Sequence, residues 1–94
     1  MNRITDKNLD GLARRLNILT GSPETYMTDG KINIGHFHID HAYGGVCLER
    51  TMNSGGGVNC PLQNGHTTKR DLYDQIYAFI RGIELGQELQ TATS

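Results

Sequence analysis

Residues 25–39 read Thr25-Tyr26-Met27-Thr28-Asp29-Gly30-Lys31-Ile32-Asn33-Ile34-Gly35-His36-Phe37-His38-Ile39, and this stretch decides the fold class. An Asp-Gly pair between two β-compatible runs is a strong hairpin signal, because a type I′ turn needs positive φ at both central residues. The second strand is expected from about Lys31 to Ile39. Its alternation changes phase midway: Ile32 and Ile34 share one face, Phe37 and Ile39 the other. Gly35 stands at the break. A bulge there would re-phase the strand and turn all four apolar residues towards one core.

Downstream, Asp40-His41-Ala42-Tyr43-Gly44-Gly45 reads as a turn into a third strand, about Val46 to Met52. Val46, Leu48, Arg50 and Met52 fall in one row, and Cys47, Glu49 and Thr51 in the other. Asn53 to Gly65 is then a long loop holding Gly55-Gly56-Gly57, Pro61 and Asn64-Gly65. Loops of this length in a small domain are uncommon and tend to be functional or mobile.

Both flanks are helical. Thr5 is placed to cap a helix from about Asp6 to Leu19, with Ile4 and Leu9 in the hydrophobic-staple positions. Leu9, Leu12, Ala13, Leu16 and Leu19 share a face, while Asp10, Arg14, Arg15 and Asn17 are expected to face water. Gly21 and Pro23 end this helix. The last helix is expected from Thr68 to a stop at Gly86, with Leu72, Ile76, Phe79, Ile80 and Ile83 as its apolar stripe and Tyr73 and Tyr77 flanking it. Residues 87–94 would be a polar, frayed tail. The sum is an α+β domain spanning 1–94: an N-terminal helix, a three-stranded antiparallel β-meander and a C-terminal helix. Both helices pack on one face of the sheet. The other face and a strand edge would be open to solvent or a partner, which gives the chain a reason to form a homodimer.

With 94 residues, 36% of them apolar and no tryptophan, the core must be small. Nine basic against ten acidic residues give a net charge of -1, which excludes a general electrostatic nucleic-acid or membrane-surface binder. No run approaches the roughly 18 apolar residues of a membrane span, and Met1-Asn2-Arg3-Ile4-Thr5-Asp6 lacks the apolar run of a signal peptide. A cytosolic setting follows, in which Cys47 and Cys60 are expected as two free thiols.

Several residue sets bear on chemistry. His36 and His38 share a strand face, and with Cys60 and His66 they supply nitrogen and sulfur donors of the kind zinc takes. Their spacing is not that of a zinc finger, and there is no CxxC, so solvent-facing histidines are the expectation and no cofactor is assigned. The glycines of Gly44-Gly45 and Gly55-Gly56-Gly57 match neither a P-loop nor a GxGxxG fingerprint and are expected to serve turns. Cys47 or Cys60 with a histidine and Asp40 would make a thiol enzyme's set, yet no local motif orders them, and the chain reads as non-enzymatic. Lys69 and Arg70 oppose the helix dipole at the start of the last helix, which hints at an acidic or phosphate-bearing partner. Tyr43, on a glycine-flanked turn, is singled out as a contact residue.

The segments Ala42-Tyr43-Gly44-Gly45, Leu48-Glu49-Arg50, Asn53 with Gly55-Gly56-Gly57-Val58, Thr68-Lys69-Arg70-Asp71-Leu72-Tyr73 and Ala78-Phe79-Ile80-Arg81-Gly82 resemble a group of small accessory proteins of tailed-bacteriophage and prophage genomes. So does the leucine-rich first helix ending Thr20-Gly21-Ser22-Pro23. The resemblance spans nearly the whole chain and implies a protein acting on host machinery in bacterial cytoplasm, with no catalytic residues to carry over. The functional expectation is a phage-encoded interaction protein of the host-takeover or anti-defence type that binds and modulates a bacterial protein. Its contact surface would comprise Tyr43, Gly44, Gly45 and Asn53, with Arg50, Lys69 and Arg70 as polar anchors. The alternative is a local nucleic-acid-binding strip of Arg50, Lys69, Arg70 and Arg81.

Overall fold

In a computed structural model that describes residues 3–62 and 65–93, the first helix, α1, spans Asp6–Thr20. Thr5 caps it as expected: its side chain accepts from the Asn8 amide, and the Asn8 side chain accepts from the Thr5 amide. Gly21, at φ 70°, closes the helix in the left-handed conformation, with the Ser22 amide donating back to Asn17. Leu9, Leu12, Ala13 and Leu16 form the buried face.

The Asp29-Gly30 turn forms, with φ of 53° and 78°, and joins β1 (Met27–Thr28) to β2 (Lys31–Ile32) in a small antiparallel pair. The expected strand Lys31–Ile39 does not run through. The His36 amide turns back to the Asn33 carbonyl, at 3.4 Å, so the chain changes direction between β2 and β3 (Phe37–Ala42). Gly35, at φ 94°, and His36 together oppose Thr51: the Gly35 amide donates to its carbonyl, and the Thr51 amide donates to the His36 carbonyl. Two residues against one, led by a left-handed glycine, is a bulge. It does not bring all four apolar residues to one core, however. Ile34 is 56% exposed, because the turn at Asn33–His36 throws it outward.

β3 pairs antiparallel with β4 (Gly45–Thr51), and β4 with β5 (Val58–Asn59), so the three-stranded meander lies one segment later in the chain than expected. The turn between β3 and β4 is only Tyr43-Gly44. β5 also shortens the expected 53–65 loop, of which Asn64 lies outside the described residues. Met52, expected in the core row, is exposed beyond the end of β4.

The last helix, α2, runs Lys69–Thr93, so Gly86 does not stop it and residues 87–93 continue as helix. The pairs Asp6–Lys69, Arg15–Glu84 and Leu19–Gln87 occur in the same order along both helices, which are therefore parallel. At 1.5 Å per residue, α2 is longer than α1 by roughly 15 Å, and the Leu19–Gln87 contact leaves its last turns beyond the end of α1. Leu85 and Leu89, on either side of Gln87, are exposed.

Leu9, Leu12 and Leu16 of α1, Leu72, Ile76 and Ile80 of α2, and Phe37, Val46 and Leu48 of the sheet form one cluster, so both helices cover the same sheet face. Each such side chain stabilises the fold by roughly 1.5–3 kcal/mol relative to exposure. No helix among the described residues is long and apolar enough to cross a membrane.

Asn17 departs from the expected pattern most sharply. Placed by periodicity on the water face, it is 1% exposed. Its Nδ2 donates to the Phe37 carbonyl at 3.0 Å, and its Oδ1 accepts from the Phe37 amide at 2.8 Å. The backbone groups of Phe37 that face away from β4 are thereby satisfied by a side chain of α1, where a further strand would otherwise be needed. Asn17→Ala leaves both groups buried and unpaired, and we expect a loss of about 2–4 kcal/mol. Asn17→Leu, which keeps the volume, should be no better. Urea denaturation of both variants measures this, and a loss below about 0.5 kcal/mol would show that the pairing contributes little.

Candidate functional site

The tip of the β3–β4 hairpin is built by a residue that the turn does not favour. Tyr43 and Gly44 have φ of 54° and 73°. A two-residue turn of this hand accepts asparagine, aspartate or glycine readily, whereas a bulky aromatic is strained there. Tyr43 is 96% exposed, with its ring edge-on to His66 at 5.5 Å. Behind the tip lies an open groove of about 390 Å³ lined by His41, Ala42, Gly44, Gly45, Thr67 and Lys69. Its wall is held by a bridge in which the Val46 amide donates to Thr67 O at 2.8 Å and the Thr67 amide to Val46 O at 2.9 Å. Gly45 is required there, since a Cβ would stand 2.8 Å from the Thr67 carbonyl oxygen.

One end of the groove carries a charge cluster joining the two helix starts. Asp6 Oδ1 accepts from Lys69 Nζ at 3.0 Å and from His41 Nε2 at 3.1 Å. Lys69 first, and His41 second, hold the Asp6 carboxyl below its usual range. Lys69, unfavourable at the start of α2 on dipole grounds alone, thus has its counter-charge on α1.

The sheet face opposite the helices, expected to be open, is partly covered. Register places His38 beside Glu49 and Asp40 beside Cys47 on that side, and His66 and Cys60 reach Asp40 and Cys47 there. His66 Nε2 meets Asp40 Oδ2 at 2.7 Å, and His38 Nε2 meets Glu49 Oε1 at 3.1 Å. His36 is buried, not solvent-facing. Its Nδ1 is 2.9 Å from the Pro23 carbonyl, which can only accept, so the proton sits on Nδ1. Tyr26 lies edge-on to both His36 and His38. The Cys47 thiol, 2% exposed, donates to the Cys60 sulfur at 3.1 Å.

The remaining predicted residues scatter. Arg50 donates through Nε to the Gly35 carbonyl at 3.3 Å and lies 5.0 Å over the Phe37 ring, which locks the bulge at the far end of β4 from Tyr43. Asn53 Oδ1 accepts from the Gly55 and Gly57 amides at 3.0 Å each and shapes the β4–β5 turn, so the glycine triplet serves backbone geometry. Arg70 is exposed on the first turn of α2. Tyr43, Gly44, Gly45 and Lys69 are the members that share one surface. In the basic strip, Arg50, Lys69 and Arg81 each have a partner, Arg81 pairing with Glu84 at 3.3 Å. No group of three or more His, Cys, Asp or Glu side chains among the described residues is arranged to hold a metal. That includes His36, His38, Cys60 and His66. Nor does either thiol bond a histidine among those residues. Burial first, then the bond to Cys60 and the nearby Glu49 and Asp40 charges, pushes Cys47 up to about 12, which makes it a slow nucleophile.

Comparison with known proteins gave no match to any protein-family profile, any curated protein or any solved structure.

The Asp6 cluster makes a signed prediction. A carboxyl depressed by folding contributes stability above its unfolded pKa and loses it as pH falls through the lower folded value. Asp6→Asn should therefore lower the melting temperature slightly at pH 7, with the deficit shrinking below about pH 4. Melting curves of both proteins between pH 2 and 7 (roughly the carboxylate range) test it. A deficit independent of pH would contradict the charge reading.

Proposed function

We propose that this is a small non-enzymatic interaction protein that binds and modulates a protein partner through the Tyr43 hairpin tip and the groove behind it. The observation that carries the reading is the position of Tyr43. An aromatic 96% exposed in a left-handed turn has only an edge contact to His66 within the chain, small against the turn's preference for glycine or asparagine, so its main contribution is made outside the chain. Strain of this kind concentrates at binding sites. A rigid, amphipathic ring is also what protein interfaces use as an anchor. In line with the resemblance to tailed-phage accessory proteins, the partner proposed is a bacterial host protein met in the host cytoplasm. Gly44, Gly45 and Lys69 line the same surface. Arg50 and Asn53 act in this reading by holding β4 and its turn in shape.

The nucleic-acid alternative has less support, since Arg50, Lys69 and Arg81 are already partnered within the chain. Self-pairing through sheet edges has less too. β5 has two residues, and β3 is closed at Phe37 by Asn17.

Tyr43→Asn separates stability from recognition. Relief of the turn should leave the melting temperature unchanged or raise it by a few degrees, while affinity for the partner falls at least about tenfold. The partner is identified by capture with tagged protein from bacterial lysate, and its Kd is then measured with both forms by calorimetry. Equal affinity for the variant would refute the Tyr43 site. Enrichment of no protein over a tag control would refute the reading as a whole.

A further inference from the structure

The two cysteines, thirteen positions apart and assigned by sequence to a strand and a loop, meet on the covered face of the sheet with their sulfurs 3.1 Å apart. Register explains the meeting. β5 runs Val58–Asn59 against Thr51 and Arg50, so the next residue, Cys60, comes opposite Glu49. That position is the diagonal neighbour of Cys47 on the same face of β4. A disulfide needs about 2.05 Å between sulfurs, so the remaining approach is about 1 Å, and the two sides differ in freedom to make it. Cys47 sits on the central strand, buried and fixed on both sides. Cys60 lies just past the end of a two-residue edge strand and is half-exposed.

We propose that Cys47 and Cys60 form a redox-active dithiol that takes a low-molecular-weight disulfide of the glutathione class as its oxidant and closes to an intramolecular disulfide. Accessibility sets the order of events. Cys60, the thiol that solvent reaches, attacks one sulfur of the small disulfide RSSR, forming Cys60–S–S–R and releasing one RSH. Cys47 then attacks the Cys60 sulfur, forms the Cys47–Cys60 bond and expels the second RSH. Two protein thiols are oxidised by two electrons, RSSR is reduced to two RSH, and the two thiol protons end on the two RSH molecules. In the second step the Cys47 proton leaves a thiol that burial and the carboxylates of Asp40 and Glu49 keep protonated, so closure is slower than capture at Cys60. The bond pins the segment after β5 to the central strand. It is independent of the Tyr43 surface.

Incubation of the folded protein with oxidised glutathione, followed by thiol titration and intact-mass measurement, tests the proposal. Wild type should lose both thiols, gain no adduct and weigh two hydrogens less. Its melting temperature should rise by on the order of 10 °C, reversibly with reductant. Cys47→Ala should retain one glutathione on Cys60, and Cys60→Ser should stay unmodified under the same conditions. Wild type that keeps both thiols, carries a lasting adduct or links into covalent dimers overturns the proposal, and these wild-type outcomes decide it even if a variant does not fold.

Discussion

The side-chain amide of Asn17 is the interaction on which the arrangement rests. It joins α1 to the outer edge of β3 by a reciprocal pair of hydrogen bonds to Phe37, and it does so at the point where the sheet would otherwise present unpaired backbone. A sheet of three strands, one of them two residues long, has little pairing of its own. Its edge is sealed by a helix side chain, and Phe37 is thereby held for the leucines of α1 and for the Arg50 guanidinium above its ring. Buried polar groups of this kind specify geometry as well as stabilising it, because leaving either partner alone is costly.

The two faces of the sheet then take different parts. The helix face is apolar and gives the domain its stability. The other face is a small polar layer of imidazoles, carboxylates and thiols, partly covered by Tyr26, Cys60 and His66. The β3–β4 tip projects beyond both layers, held by the Val46–Thr67 bridge and by the Asp6 cluster. A stiff hairpin carrying one exposed aromatic suits recognition without rearrangement, since little conformational entropy is lost when it docks.

Much of this was legible in the sequence, for physical reasons that can be named. The Thr5 cap, the Gly21 stop, the leucine and isoleucine stripes and the Asp29-Gly30 turn are local signals, and each formed as expected. The α+β class and the packing of both helices on one sheet face followed from two amphipathic helices around β-compatible segments. What failed needed tertiary context. Asn17 looks like a water-facing residue until a strand edge is brought against it. Gly86 has the composition of a stop, yet no left-handed cap forms there and the helix continues. Gly35 marked its bulge correctly, but a tight turn just before it sent Ile34 outward and moved the meander one segment along. The meeting of Cys47 with Cys60 depends on β5, whose two residues carry no periodicity to read. At the candidate site, Tyr43, Gly44, Gly45 and Lys69 were legible through turn chemistry and charge. The bond from Arg50 to the Gly35 carbonyl was not legible, because its partner lies far away in the sequence, whereas the turn that Asn53 closes on Gly55 and Gly57 is local.

Native-state hydrogen exchange at the Phe37 amide tests the sealing of the β3 edge most directly. That amide points away from β4, so nothing in the sheet protects it. If Asn17 fastens the edge, Phe37 exchanges as slowly as the Cys47 amide of the central strand, which faces Asp40 of β3, through global unfolding alone. Exchange at the rate of an open strand edge, with Cys47 still protected, would show that α1 and β3 are not joined in this way.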